Sequence, residues 1–186
     1  MENKARKAAI VLSAVAFALV LTGAGCKKSS TETATTTEKN WTSSTEKGSI
    51  PDKAISGKIN GKNVTIANVA ITKFDGKYDW AFSNQAPSEA CGVVTGNDAV
   101  NISMKTLQKG TFEKTVSEEL PFNDYSSYYY YNQENGTPMS INTNWDAKVV
   151  ITNIDEAAKK VTGFAKISYD DTKTEISGAF TADLCE

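Results

Sequence analysis

Three small clusters of carboxylates carry whatever acid–base chemistry this sequence has: Glu118-Glu119 with Asp124, Asp155-Glu156, and Asp170-Asp171. Two carboxyl groups about 5–9 Å apart are all that glycoside hydrolysis strictly needs. Adjacent acids on turn-like segments, however, read as solvated charge, and no catalytic residue is expected among them. The chain contains no histidine, so the usual general base near neutral pH and the commonest transition-metal ligand are both missing. Its serines have neither a glycine-framed elbow nor a histidine partner. Asn97-Asp98 and Asp170-Asp171 offer oxygens to a hard cation but lack the spaced Asp-x-Asp-x-Asp arrangement of a dedicated loop. The expectation is a protein without enzymatic activity, cofactor or metal.

Recognition chemistry is better represented. Tyr125-Ser126-Ser127-Tyr128-Tyr129-Tyr130-Tyr131-Asn132 is the most unusual composition in the chain. Tyrosine joins a flat apolar face to a hydroxyl at little rotamer cost, which suits sugar rings, peptides and protein surfaces. On an extended strand these residues divide between two faces. Either Tyr128 and Tyr130 are buried while Tyr129 and Tyr131 project, or the reverse. Trp145, flanked by Asn142, Thr143, Asn144 and Asp146, adds a second aromatic-with-amide patch, either a stacking platform or a cap on one end of the fold. Tyr128, Tyr129, Tyr130, Tyr131 and Trp145 are therefore the candidate ligand-binding residues.

The elements that must hold these residues begin with a leader. Lys4, Arg6 and Lys7 precede a 14-residue, predominantly apolar run from Ala8 to Leu21, and the small residues Thr22-Gly23-Ala24-Gly25 stand directly before Cys26. The run is short for a helix crossing a hydrocarbon core of about 30 Å and has the flanks of a signal peptide. With a cysteine at the cleavage point, it resembles the signal of bacterial lipoproteins, although Gly23 stands where the usual box has leucine. That resemblance implies cleavage of residues 1–25, diacylation of Cys26 as the new N-terminus, and attachment to a membrane of the cell envelope. Lys27, in place of the aspartate that commonly retains such proteins in the inner membrane, permits an outer-membrane address where two membranes exist.

With Cys26 assigned to lipid, Cys91 and Cys185 remain as an even pair in an exported chain, where oxidation is favoured. They are expected to form a disulfide, the alternative being two buried thiols. Removing residues 1–25 takes away three basic groups and one acidic group, leaving 17 basic against 21 acidic residues. This net negative charge argues against nucleic acid as a partner.

Residues 26–49 are almost entirely Ser, Thr, Glu and Lys, too polar to offset the entropy of ordering. They are expected to form a disordered tether with a reach of about 25 Å. Trp41 is the discordant residue there, with the membrane interface, the surface of the domain, or no contact at all open to it.

Residues 50–186 read as one β domain. Asn60-Gly61 separates runs 55–59 and 62–67, and Asp75-Gly76 separates 69–74 and 77–83. Both dipeptides suit a two-residue hairpin turn that needs positive φ. Tyr78, Trp80 and Phe82 share one face at period 2 and are expected in the core. A third hairpin is expected from 91–94 and 99–105, with the disulfide tying it to the last strand. Weaker strand pieces follow at 111–116, 127–131 and 139–143, then firm ones at 147–154, 161–169 and 174–184. About nine short strands fit an antiparallel β-sandwich, with a closed, lipocalin-like barrel as the alternative. The combined expectation is a monomeric, membrane-anchored envelope module that binds a protein, a glycan or a peptidoglycan fragment. A carrier of a small apolar ligand is the second reading.

Overall fold

The structure, a computed structural model, describes residues 40–185; Cys26, the signal peptide and most of the expected tether lie outside them. Twelve strands are present: β1 (Trp41–Thr42), β2 (Ser56–Ile59), β3 (Lys62–Thr65), β4 (Asn68–Phe74), β5 (Lys77–Ser83), β6 (Ala99–Met104), β7 (Gly110–Lys114), β8 (Tyr125–Asn132), β9 (Pro138–Ile141), β10 (Trp145–Asp155), β11 (Lys160–Tyr169) and β12 (Glu175–Cys185). There is no helix among the described residues. The fold is all-β, as its alternating sequence implies, with twelve strands where about nine were expected.

Hydrogen bonding joins the strands into one sheet in the order β1-β7-β10-β11-β12-β4-β5-β6-β8-β9, with the β2–β3 hairpin attached to β12. Side chains far apart in that order nevertheless touch. Tyr129 of β8 packs edge-on against Tyr169 of β11 with ring centres 5.0 Å apart, and Phe112 of β7 stacks on Tyr125 of β8 at 5.6 Å. The sheet therefore folds over on itself around a single core. It stays open, which corrects the closed-barrel alternative, because no ladder joins the β1–β7 end to the β8–β9 end among the described residues.

Local chemistry accounts for most of the strands. Asn60 and Gly61 take φ of 48° and 80°, and Asp75 and Gly76 take 48° and 75°, so both expected hairpins form on turns these residues adopt at little cost. Trp80 and Phe82 are buried, and Phe180 of β12 meets both rings edge-on. The third expected hairpin does not form. Cys91 has φ 62°, outside strand geometry, and Val93 is 89% exposed; residues 84–98 are a long connection between β5 and β6. The Cys91–Cys185 disulfide is present, and it ties this connection, not a hairpin, to the end of β12.

Two further features depart from the sequence reading. One ladder is parallel, since β12 runs alongside β4 with Asp183 opposite Ala70 and Cys185 opposite Thr72. These strands are separated by most of the domain, so no tight turn dictates their direction. Residues 40–49, read as the end of the tether, belong to the folded unit. Trp41 is 2% exposed and packs on Phe112 with ring centres 5.7 Å apart, burial worth roughly 2–3 kcal/mol. Gly110 makes room for this strand. It has φ 134°, and a Cβ there would lie 2.1 Å from the Thr42 carbonyl oxygen.

Candidate functional site

Alternation along β7 turns Phe112 and Lys114 inward, at the end of the folded sheet where β10 begins. Lys114 is 7% exposed. Its Nζ donates to the carbonyl oxygens of Trp145 at 2.8 Å and Thr115 at 3.0 Å, and lies 4.8 Å from the centre of the Trp145 ring. Burial pulls its pKa below the usual lysine value, while the charges of Glu118 and Asp146 oppose that shift.

Trp145 opens β10 opposite Tyr169 of β11 and stacks on Phe112 with ring centres 6.5 Å apart. It is buried and so caps the end of the core, with one face against Phe112 and the Lys114 ammonium over its ring. Tyr125, also buried, covers the other side of Phe112.

Above this floor lies a groove of about 660 Å³, with Lys114, Tyr125 and Trp145 at its base. One wall is the connection between β7 and β8, which bears Glu118, Glu119 and the exposed side chains of Val116 and Phe122. Backbone bonds fold that connection: Glu118 N–H donates to the Thr115 oxygen at 3.0 Å, and the N–H groups of Asp124 and Tyr125 both donate to the Pro121 oxygen at 2.9 Å. The opposite wall is Asn142–Asn144, held aside because Thr143 Oγ1 donates to Asp170 Oδ1 at 2.5 Å and Asp170 N–H donates to the Asn144 oxygen at 3.0 Å. Ser126 and Ser127 of β8 line the floor between the walls.

The tyrosine run divides as a strand must. Tyr129 faces inward and is buried, Tyr131 packs beside it, and Tyr128 and Tyr130 lie on the outer face. Tyr129 donates its hydroxyl to Asp171 and stacks with Tyr131. Burial, together with the Asp171 carboxylate, pushes the Tyr129 hydroxyl up to about 12. Burial raises the Tyr169 hydroxyl as well, against a 2.5 Å hydrogen bond with Ser127 that favours ionisation. Outside, Tyr128 stacks on Tyr130 at 6.5 Å and is 39% exposed; burial, then Tyr130 and Asp79, raise its hydroxyl. The structure therefore does not gather the five candidate aromatics into one platform. Trp145 and Tyr129 are core residues, Tyr131 is partly covered, and Tyr128 and Tyr130 look away from the groove.

Several of the remaining acids accept backbone N–H bonds. Asp171 accepts from Lys173 N–H at 2.8 Å, and Asp155 accepts from Ala158 N–H at 2.8 Å. Asp98 accepts from Asn132 N–H at 2.9 Å and organises the connection beside β6. No group of three or more metal-ligating side chains occurs among the described residues. The residue that sequence reasoning passed over is Lys114. Its signal was present, since alternation through Thr111–Val116 places Phe112, Lys114 and Val116 on one face.

No protein-family model, curated protein or solved structure matches the chain, so the geometry alone carries the functional reading.

Proposed function

We propose that the chain is a lipid-anchored protein of the bacterial envelope, held at Cys26, whose sandwich-like folded sheet binds a protein, a glycan or a peptidoglycan fragment without catalysing a reaction. The observation that carries this reading is the groove over Lys114, Tyr125 and Trp145. It combines apolar edges at its floor with amides on one wall and carboxylates on the other, the mixture that fixes a polar ligand in orientation.

Two features support it. Trp80, Phe82 and Phe180 pack against one another and Phe112 stacks on Tyr125, so these large aromatics pack within the core and do not line an interior cavity for a carried ligand. The chain also enters the folded unit beside the groove: Glu113 N–H donates to the Asn40 oxygen at 3.0 Å, one residue before Lys114. The first described residue thus lies at the groove end of the folded unit.

The test is photo-crosslinking in the native host. A photoreactive residue at Asn142 should yield a discrete adduct with a protein or a cell-wall fragment, and one at Lys58, on β2, should not. Adducts at Lys58 alone would overturn the groove reading. Replacing Cys26 with serine should release the protein from the membrane fraction; retention there would remove the lipid anchor from the proposal.

A further inference from the structure

The connection between β5 and β6 is closed at its base by side-chain bonds between its two ends. Gln85 Nε2 donates to the Gly96 oxygen at 3.2 Å, Asn97 Nδ2 to Ser83 Oγ at 2.7 Å, and Asp98 N–H to Asn84 Oδ1 at 2.9 Å. Asn97 is buried and its side-chain oxygen accepts from the Tyr130 hydroxyl at 3.1 Å, so this neck is built onto the end of β8. Beyond the neck stands a lobe, residues 86–95, in which no residue is buried. Its internal turn is local, with Gly92 N–H donating to the Glu89 oxygen at 3.0 Å. A segment that buries no side chain gains little from docking, while the chain entropy of staying in place opposes it.

The covalent tie from this lobe to the sheet is the bond between Cys91 and Cys185. Its two ends differ. Cys91 is exposed and has φ 62°, the left-handed region that costs an L residue energy. Cys185 is buried at the end of β12, opposite Thr72 of β4. That end of β12 has other ties, since Leu184 N–H donates to the Lys159 oxygen at 2.9 Å and Asp183 pairs with Lys160. An exposed disulfide whose opening relieves backbone strain belongs to the reducible kind. Neither the neck nor the end of β12 needs the bond in order to stay folded, and no residue of the lobe lines the groove over Lys114.

We infer that the Cys91–Cys185 bond is a reversible latch on residues 86–95, opened by a dithiol reductant that attacks the Cys91 sulfur from the solvent side. In the first step the incoming thiolate forms a disulfide with Cys91, the bond to Cys185 breaks, and Cys185 leaves as a thiolate that takes a proton from water. In the second, the reductant's other thiolate attacks the reductant's own sulfur in that mixed disulfide. Cys91 leaves as a thiolate and is protonated, and the reductant departs as a disulfide, having given up two electrons. A disulfide oxidant closes the latch by the reverse sequence. A monothiol can carry out the first step alone and should stop with Cys91 capped.

The test uses the full-length protein as its host makes it, folded in detergent. After incubation with glutathione, alkylation and peptide mapping by mass spectrometry, Cys91 should carry glutathione and Cys185 the alkyl group. With dithiothreitol both cysteines should become alkylated while the circular dichroism spectrum is kept. A glutamate-specific protease should then cut after Glu89 at least about ten-fold faster, since cleavage follows the population of the open lobe. Cys185→Ser should be cut at the faster rate without any thiol. Glutathione on Cys185, a bond that resists both thiols until urea unfolds the domain, or an unchanged rate of cleavage would overturn the latch. Loss of the whole spectrum on reduction would also overturn it, because the bond would then be a staple of the entire fold.

Discussion

At the turn end of the β10–β11 hairpin the chain is tied down by covalent and ionic links. Cys185 is bonded to Cys91, Lys160 pairs with Asp183 across β11 and β12, and Leu184 N–H donates to the Lys159 oxygen at 2.9 Å. At the opposite end of the same hairpin, Trp145 and Tyr169 stand side by side. There the core is closed by ring packing together with hydrogen bonds from Lys114 to the Trp145 oxygen and between Ser127 and the Tyr169 hydroxyl, with no covalent link. The contrast has a physical basis. Residues 84–98 bury few apolar side chains, so the long connection at the first end depends on a cross-link to stay docked. The second end has Phe112, Tyr125 and Trp145 to seal it. It therefore keeps its core closed beneath the groove without a cross-link.

The comparison can be broken from either end. The largest effect is expected from Trp145→Ala, which removes the cap over Phe112 and the ring under the Lys114 ammonium. A loss of about 3–4 kcal/mol in urea unfolding is expected, and a loss below about 1 kcal/mol would mean that packing does not seal this end. Next comes Cys91→Ser combined with Cys185→Ser, expected to cost about 2–4 kcal/mol. Hydrogen exchange in that variant should accelerate in residues 84–98 and at the end of β12 while amides around Trp145 keep their protection. Acceleration spread evenly over the domain would dissolve the distinction between the ends.

Alkaline pH sharpens the contrast further. Tyr129 and Tyr169 have hydroxyls raised in the folded state, so the unfolded chain releases these protons first. Their contribution is complete below pH 10 and is lost as pH climbs from there toward 12. Lys114 acts with the opposite sign. Its folded pKa is lowered, so stability gains as pH rises through that value toward the ordinary lysine range. Thermal melts across this range should show Tyr129→Phe losing less stability above pH 10 than the parent, and Lys114→Met lacking the gain that precedes the fall. An unchanged profile in both variants would separate the alkaline transition from this end. The smallest effect is expected from Tyr128→Ala, below about 1 kcal/mol, because this ring is among the exposed large hydrophobics on the outer face. A larger loss would show that the outer tyrosine stack supports the fold.

Much of the strand content was legible because the signals are local. Both two-residue turns required positive φ, and their residues tolerate it. Trp80 and Phe82 alternated with Asp79 and Ala81, so the buried face of β5 could be read directly. The pairing of Cys91 with Cys185 followed from parity once Cys26 was set aside. Three features were not legible in this way. Cys91–Val94 has strand-like composition, but the left-handed backbone at Cys91 and the cross-link hold it out of the sheet. Trp41 sits in a polar run whose composition predicts disorder, and what orders it is the Phe112 ring, 71 positions later in the chain. Lys114 was legible by period but overlooked by residue type, since a lysine is rarely placed inward without partners.

The tyrosines show where the boundary lies. Alternation by itself determined that neighbours in Tyr128-Tyr129-Tyr130-Tyr131 face opposite ways. It carried no information about which pair is buried, because four identical residues look the same in either phase. The tertiary structure chose: Asp171 and Tyr169 wait on one side of β8, and solvent lies on the other. The same division holds for the whole chain. Strands and turns are dictated by neighbours in sequence, through backbone sterics and a two-residue period. The parallel seating of β12 beside β4, the docking of Trp41 and the meeting of Lys114 with Trp145 are contacts between distant segments, and only the folded sheet brings them together.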